Sequence, residues 1–468
     1  MKDDFLAACR AVVGDSHVLT GEAAAAFCTD WRGRFTGQAL AVVRPADTQQ
    51  VAAIVRLCAA HGVPLVPQGG NTGLVLGSVP DASASAIVLS LRRLNRIRAI
   101  DTDGNTLIVE AGCVLQDVQQ AARERGLLFP LSLAAEGSCT IGGNLASNAG
   151  GTAVLRYGNT RELCLGLEVV TAGGELWSSL RGLRKDNTGY DLRDLYIGSE
   201  GTLGVITAAV LKLYPLPAAQ ITALAAVATP ADALALLNRA QALCGAMLTG
   251  FELMSRRCVE LVRKHFPPLY PAFAQPHPQY VLLELSSSES QEHAMALLEQ
   301  LLGAAIEDGV AQDALVAGSL AQSGKLWQLR EHIPLAQAAD GKNIKHDISL
   351  PLARIPGFIG VTEAALLQAF PECRLVCFGH LGDGNLHFNV AGPDGTAADD
   401  FLLHQEAVNR IVHDSVETYG GSISAEHGIG ALKREELLRY KSPVEIGLMK
   451  TIKQALDPLG IMNPGKIL

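Results

Sequence analysis

Two histidines stand seven residues apart in the run Cys377-Phe378-Gly379-His380-Leu381-Gly382-Asp383-Gly384-Asn385-Leu386-His387-Phe388-Asn389-Val390. The pattern predicts a β-hairpin: Val376 and Phe378 lead into a glycine-rich turn, and a second strand follows. Side chains alternate across a strand, so Asn385, His387 and Asn389 share one face while Leu386, Phe388 and Val390 share the other. A strand that buries its apolar face leaves its polar face for something besides the core. Further on, Ser424-Ala425-Glu426-His427-Gly428-Ile429-Gly430 sets a carboxylate beside an imidazole in a glycine-flanked bend. Two imidazoles and a carboxylate, from His380, His387 and Glu426, suit a divalent cation of the catalytic Zn²⁺ type with one coordination position open.

The elements that must position these groups fall into two patterns. In the first half strands and helices alternate. Strands are predicted over Ala39 to Arg44, Val63 to Val66, Ile87 to Leu91, Thr106 to Glu110, Cys164 to Thr171 and Gly204 to Tyr214. One helix runs from a cap at Thr48 to Gly62, and another from Leu115 to Arg125. Pro215 and Pro217 mark a boundary. Beyond it come a strand over Ala223 to Ala228, a helix opened by Thr229-Pro230, a strand over Tyr280 to Leu285, a helix from Ser288 to Ile306 and a short strand near Ala314. This second pattern predicts an antiparallel sheet with helices on one face, extended by the histidine hairpin. The tail from Phe401 is mainly helical. The class expected is α+β, divided as an N-terminal helical segment over 1–35, a first domain over 36–215, a second over 216–400 and a helical C-terminal region over 401–468.

Composition narrows the functions. At 468 residues the chain has ample length for two or three domains. A net charge of −9 argues against nucleic acid and anionic membrane surfaces as partners. The N-terminus, Met1-Lys2-Asp3-Asp4-Phe5-Leu6, is acidic where a signal peptide needs a positive charge. It reads as an amphipathic helix with Phe5, Cys9, Val12 and Val13 on one side. The Ala/Leu-rich stretch near Ile221 to Leu237 is broken by Pro230 and Asp232 and does not span a bilayer. Ten cysteines without a paired framework read as buried, reduced thiols, which implies a cytoplasmic protein.

Gln68-Gly69-Gly70-Asn71-Thr72-Gly73 comes directly after a predicted strand. Clustered glycines let backbone N–H groups approach an anion, usually a diphosphate. Neither the Gly-x-Gly-x-x-Gly fingerprint nor a P-loop occurs. A second loop, Glu136 to Gly151, mixes glycine with small hydroxyl and amide side chains that can follow a long cofactor. The plainer alternative for either loop is a set of tight turns.

These two loops, together with Gly198-Ser199-Glu200-Gly201-Thr202-Leu203-Gly204-Val205-Ile206-Thr207, resemble the FAD-binding domain of the vanillyl-alcohol-oxidase and p-cresol-methylhydroxylase type, which has two subdomains. Lys345-His346-Asp347-Ile348-Ser349, the histidine hairpin, Glu426-His427-Gly428 and Asn463-Pro464-Gly465-Lys466 resemble the D-2-hydroxyacid dehydrogenase branch of that family. The likeness runs from about Thr36 to Lys466. It implies that Gln68, Gly69, Gly70, Asn71, Thr72 and Gly73 cradle the FAD diphosphate. It further implies that Gly142, Gly143, Asn144, Ser147 and Asn148 line the ribityl chain and isoalloxazine, with Gly137, Ser138 and Thr140 also among the cofactor-binding residues. Ile206 then sits near the adenine, and Asn463 closes the pocket. Asn71 stands where some relatives carry a histidine that bonds the cofactor, so the FAD is expected to be non-covalent.

The resemblance also implies a reaction: oxidation of a D-2-hydroxy acid, with hydride transfer from C2 to flavin N5 and His380, His387 and Glu426 as metal ligands. His427 is the expected general base, Arg330 the carboxylate clamp, Lys345 a second positive contact and Asn389 a donor to substrate. D-2-hydroxyglutarate is the favoured substrate. Pro334, four residues after the clamp, replaces a hydroxyl residue expected in hydroxyglutarate-specific members, so D-lactate or a glycolate-like acid stays open. An electron-transferring flavoprotein, a quinone or a cytochrome would take the electrons, and a homodimer is possible. Each residue also has a structural alternative. The histidines could hold turn carbonyls, Arg330 could be a surface arginine, Lys345-His346-Asp347 a solvated run and Glu426 a helix cap. Two other functions compete: a metal-only hydrolase, and a flavin- or nucleotide-binding subunit without chemistry of its own.

Overall fold

The structure, a computed structural model, describes residues 2–393 and 398–468, with backbone alone at 398 and 399. The chain divides into two compact units. One comprises Met1–Gly150, Gly158–Leu216 and His427–Leu468; the other comprises Gly151–Tyr157 and Pro217–Glu426.

The first unit holds two larger sheets and a two-stranded one, Tyr214–Pro215 against Leu127–Leu128. Ala41–Val43, Ile87–Ser90 and Leu65–Gln68 run parallel, in that spatial order, with the short Val18–Leu19 antiparallel at the edge. The first two are buried at every position and the third at all but Pro67, which accounts for their continuous apolar runs. The helix Thr48–His61 connects the first two strands in sequence. Its cap is Asp47, which accepts from Gln50 N at 2.9 Å, and not Thr48 as expected. Thr48 lies inside the helix and donates its hydroxyl to Glu168 at 2.6 Å. Gly62 ends the helix at φ 63°. The second sheet is antiparallel, in the order Ile97–Asp101, Thr106–Glu110, Gly204–Lys212, Cys164–Thr171, Leu176–Ser178. The glycine-rich segment expected to be a loop contains a helix, Ile141–Ser147. Glycine is required there because a Cβ on Gly142 would lie 2.6 Å from the Cβ of Ala111.

The second unit is built on one seven-stranded antiparallel sheet, ordered Asp313–Val316, Ala219–Val227, Gln279–Ser287, Leu248–Ser255, Arg374–His380, Asn385–Ala391, Asp347–Ser349. The histidine hairpin forms as expected, with Phe378 opposite His387. The strand Leu248–Ser255 was not anticipated, and it supplies a residue central to the site. Helices cover both faces of the sheet, not one. Consecutive residues Ile221 to Val227 are all buried, which a sheet with one wet face does not allow. Leu224, Ala226, Tyr280 and Leu282 pack with Leu329 and Ile333 from the helices Leu320–Glu331 and Ile333–Asp340. The helices Pro230–Cys244 and Gln291–Glu307 also pack against the sheet's strands. The α+β class read from the sequence holds. All ten cysteines are free and buried, and among the described residues no helix is long and apolar enough to cross a membrane.

Candidate active site

In the first unit the loop after Leu65–Gln68 borders a cavity. Gln68, Gly69, Gly70, Asn71, Thr72 and Gly73 line one side, Thr140, Gly142, Gly143, Asn144 and Ser147 another, and Ile206 and His427 also reach the wall. Gly137, Ser138, Asn148 and Asn463, expected in the cofactor site, are not among the residues that line it. Ser138 presents its carbonyl where a Cβ on Gly70 would come within 2.1 Å, and Asn148 Oδ1 accepts from Arg161 N. Asn463 braces two wall segments by donating Nδ2 to the carbonyls of Gly77 and Glu200.

The loop is fixed from outside. Gln68 is buried and donates to the carbonyls of Phe27 and Ser78, both at 2.8 Å. Arg92 donates to the carbonyls of Gly69 and Gly70 at 3.3 and 3.1 Å. Asn71 sits at φ 57° and donates to Thr29 O at 2.9 Å. Pinning these glycine carbonyls to arginine frees the N–H edge of the loop for an anion. One buried atom on the wall, Thr140 Oγ1, lacks any protein partner. A buried hydroxyl without a partner is costly, so an orphan on a cavity wall marks where a polar ligand belongs. Glycine cradle and orphan hydroxyl together fit a dinucleotide such as FAD.

Glu200, at φ 52°, was not singled out as a site residue, although its Gly-Ser-Glu-Gly setting was noticed. Its carboxylate accepts from Ile429 N at 2.7 Å and Gly430 N at 2.8 Å, which fixes the segment that begins with His427. Burial raises its pKa, with the two N–H groups and the nearby Lys466 and Lys433 pulling it down. Gly428 and Gly430 are both at positive φ, and a Cβ on either would strike Glu200 or the carbonyl of Val75.

In the second unit, ligand atoms of His380, His387 and Glu426 all lie within 4.8 Å of one another. His380 is buried and the other two are half-buried. His380 Nε2 is 3.9 Å from Glu426 Oε1, which also accepts from Gly151 N at 2.7 Å. Asp347 accepts from Glu426 N at 2.9 Å and from Asn385 Nδ2 at 2.9 Å, and lies 4.0 Å from His387 Nδ1. The donor set, imidazole and carboxylate with a partly open side, is right for a divalent cation.

Glu252, on the unanticipated strand, bridges this group to Arg330. One oxygen accepts from His380 Nδ1; the other accepts from Arg330 Nε at 2.6 Å. Burial opposes charge on both partners, yet Glu252 is held down at about 2 by His380 and Arg330 while His380 is raised to about 9 by Glu252. The guanidinium lies over the Phe378 ring, 4.8 Å from its centroid. Arg330 is 7% exposed, which excludes the surface-arginine alternative. His346 and Asp347 are both 2% exposed, which excludes a solvated run, although Lys345 itself is exposed. Asn389 is buried, donates to Gln337 Oε1 at 3.1 Å and accepts from His346 N at 3.2 Å. Glu426 caps no helix, since the next one begins at Arg434. Pro334 lies in the first turn of Ile333–Asp340, where proline is well tolerated. The signal that could have exposed Glu252 is a lone acid in the apolar run Phe251-Glu252-Leu253-Met254.

Comparison with known proteins supports the FAD-binding part of this reading. The FAD binding domain matches residues 39–179, and the C-terminal domain of FAD linked oxidases matches residues 216–467. The chain is 42% identical over 439 residues to a D-2-hydroxyglutarate dehydrogenase of Xanthomonas citri pv. viticola, spanning 94% of this chain and 91% of that one. It is 40% identical over 471 residues to the mitochondrial D-2-hydroxyglutarate dehydrogenase of Bos taurus, spanning 100% and 84%. Among solved structures, p-cresol methylhydroxylase shares the fold with a TM-score of 0.80 at 16% identity, over 99% of this chain and 96% of that one. Matched domains and glycine cradle define an FAD-dependent oxidoreductase. The chain belongs to the FAD-linked oxidase family, among relatives named D-2-hydroxyglutarate dehydrogenase, and shares its fold with p-cresol methylhydroxylase.

Proposed function

We propose that this enzyme oxidises D-2-hydroxyglutarate to its 2-oxo acid, with a divalent cation, Zn²⁺ first, held by His380, His387 and Glu426. The observation that carries the reading is the convergence of those three ligand atoms within 4.8 Å in a relative of named D-2-hydroxyglutarate dehydrogenases. Bound FAD supplies a hydride acceptor at N5, and a bound cation supplies a Lewis acid that lowers the pKa of the substrate hydroxyl. The chain's own groups do the rest. Arg330, anchored through Nε, presents its terminal nitrogens to a substrate carboxylate. Lys345 adds a second positive charge, and Asn389 a polar contact. His427 takes the hydroxyl proton as the C2 hydrogen leaves with its electron pair. Covalent continuity supports this division of labour, since Glu426 and His427 are consecutive residues.

A second reading, D-lactate or a glycolate-like acid, is favoured by Pro334, which offers no hydroxyl to a distal carboxylate. In the cell we place the protein in the cytoplasm, as a possible homodimer, passing electrons to an electron-transferring flavoprotein, a quinone or a cytochrome. Anaerobic bleaching of the flavin tests the reading across a panel of D- and L-2-hydroxy acids, before and after treatment with a strong chelator. D-2-hydroxyglutarate should bleach fastest, its L-isomer not at all, and chelation should stop bleaching with FAD still bound. Bleaching unchanged in protein shown free of metal would remove the cation from the mechanism. Faster bleaching by D-lactate would move the substrate to the second reading.

A further inference from the structure

We propose that Glu252 is a positioning residue, one carboxylate that sets both the metal-facing nitrogen of His380 and the plane of the Arg330 clamp. The proposal rests on the functional reading above.

Glu252 is fully buried in a strand whose neighbours Phe251, Leu253 and Met254 are core residues. A buried carboxylate is tolerated only when charge-assisted partners surround it. Here there are two, from different elements: His380 on the adjacent strand, directly opposite in the ladder, and Arg330 on the helix Leu320–Glu331.

The chemistry of each bond is directional. An ionised carboxylate can only accept, so His380 Nδ1 must carry the proton. That leaves Nε2, the nitrogen 3.9 Å from Glu426 Oε1, with its lone pair free for a cation. A hydrogen bond on the far nitrogen is how ligand histidines are held in tautomer and orientation. On the other side Glu252 takes the Nε of Arg330, and with the Phe378 ring beneath it the guanidinium plane is fixed. The terminal nitrogens of Arg330 have no protein partner among the described residues, so the side of the fork suited to a carboxylate stays available. An ion pair serving only the fold would need neither the tautomer nor the free edge.

Substitution separates these roles. In Glu252→Gln the carboxamide oxygen can serve only one of the two donors, and its NH₂ either meets the other N–H or turns His380 to the tautomer with its proton on Nε2. Glu252→Asp keeps the charge but is one methylene short of reaching both, and it carries the test if the glutamine variant does not fold. On purified, flavin-loaded protein we expect Glu252→Gln to keep FAD but to bind Zn²⁺ about 10- to 100-fold more weakly in competition with a chromophoric chelator. KM for D-2-hydroxyglutarate should rise about tenfold, and Glu252→Asp should recover part of both losses. The KM effect should shrink when Arg330→Met is already present, because the two residues act as a unit. If both variants keep Zn²⁺ affinity and KM within about twofold of the parent and lose only melting temperature, Glu252 is a structural ion pair and the proposal is wrong. If the parent and His380→Ala bind Zn²⁺ equally poorly, it is the metal reading that fails. The KM cycle with Arg330 then decides the role of Glu252.

Discussion

Glu200 accepts the backbone N–H of Ile429 at 2.7 Å, so the start of the C-terminal segment is tied to a residue more than two hundred positions earlier. The same carboxylate holds Gly430 N at 2.8 Å, and Glu200 and His427 both lie on the cavity wall. Removing the acceptor leaves two partly buried N–H groups without that partner, at up to about 1–3 kcal/mol each. Glu200→Ala should therefore lower the melting temperature by several degrees and slow flavin reduction at least tenfold. Stopped-flow reduction at saturating substrate checks this, and an unchanged rate would detach His427 from the reaction.

Gly70 has no room for a side chain, since a Cβ there would lie 2.1 Å from Ser138 O, a backbone atom that cannot swing away. Gly70→Ala must displace the cradle. The purified variant should carry less than about a tenth of the parent's FAD, corresponding to a loss of at least 1.4 kcal/mol in binding. Absorbance at the flavin band against protein concentration gives the answer, and full occupancy would take Gly70 out of the cofactor site.

For the second unit, His387→Ala and Glu426→Gln should each lose the cation while keeping FAD. Metal content and flavin reduction should fall together by about 100-fold or more, because substrate activation and positioning go at once. Elemental analysis beside anaerobic reduction would expose a variant that is metal-free yet fully active.

Asp340 gives a pH prediction. Burial pushes its carboxyl up, but hydrogen bonds from Lys264 and His265 and the charges of Lys264 and Arg374 overcome this and hold it at about 2, against an ordinary 3.8. A carboxyl lowered in the folded state stabilises above its unfolded pKa, and that stability goes as pH falls through the folded value. The contribution is on the order of 2 kcal/mol at neutral pH. Asp340→Asn should be less stable than the parent by about that amount at pH 7, and the difference should vanish between pH 4 and pH 2. Urea melts across that range measure it, and a gap that stays constant with pH would show that charge is not its origin.

Much of the architecture was legible because local chemistry dictates it. Thr229-Pro230 opens a helix with a complete capping box, Gly62 closes one at positive φ, and the alternation through Asn385, His387 and Asn389 makes a strand. Local signals also misled. A helix with two glycines in its first turns, Ile141–Ser147, reads as a loop because propensity disfavours it, and only packing against Ala111 explains it.

Sequence alone determined which groups are candidates for chemistry: two histidines on a hairpin, a Glu-His pair, an arginine in a helix and glycine loops after strands. Residue type and short-range spacing suffice for that. Only the tertiary structure decided which groups meet. His380 and Glu426 converge across 46 positions, Glu200 holds a loop 229 positions away, and Glu252 serves two partners from a strand the sequence hid. Such pairings follow from strand order and register, which are fixed by burial of the whole sheet and leave no mark in any local run of residues.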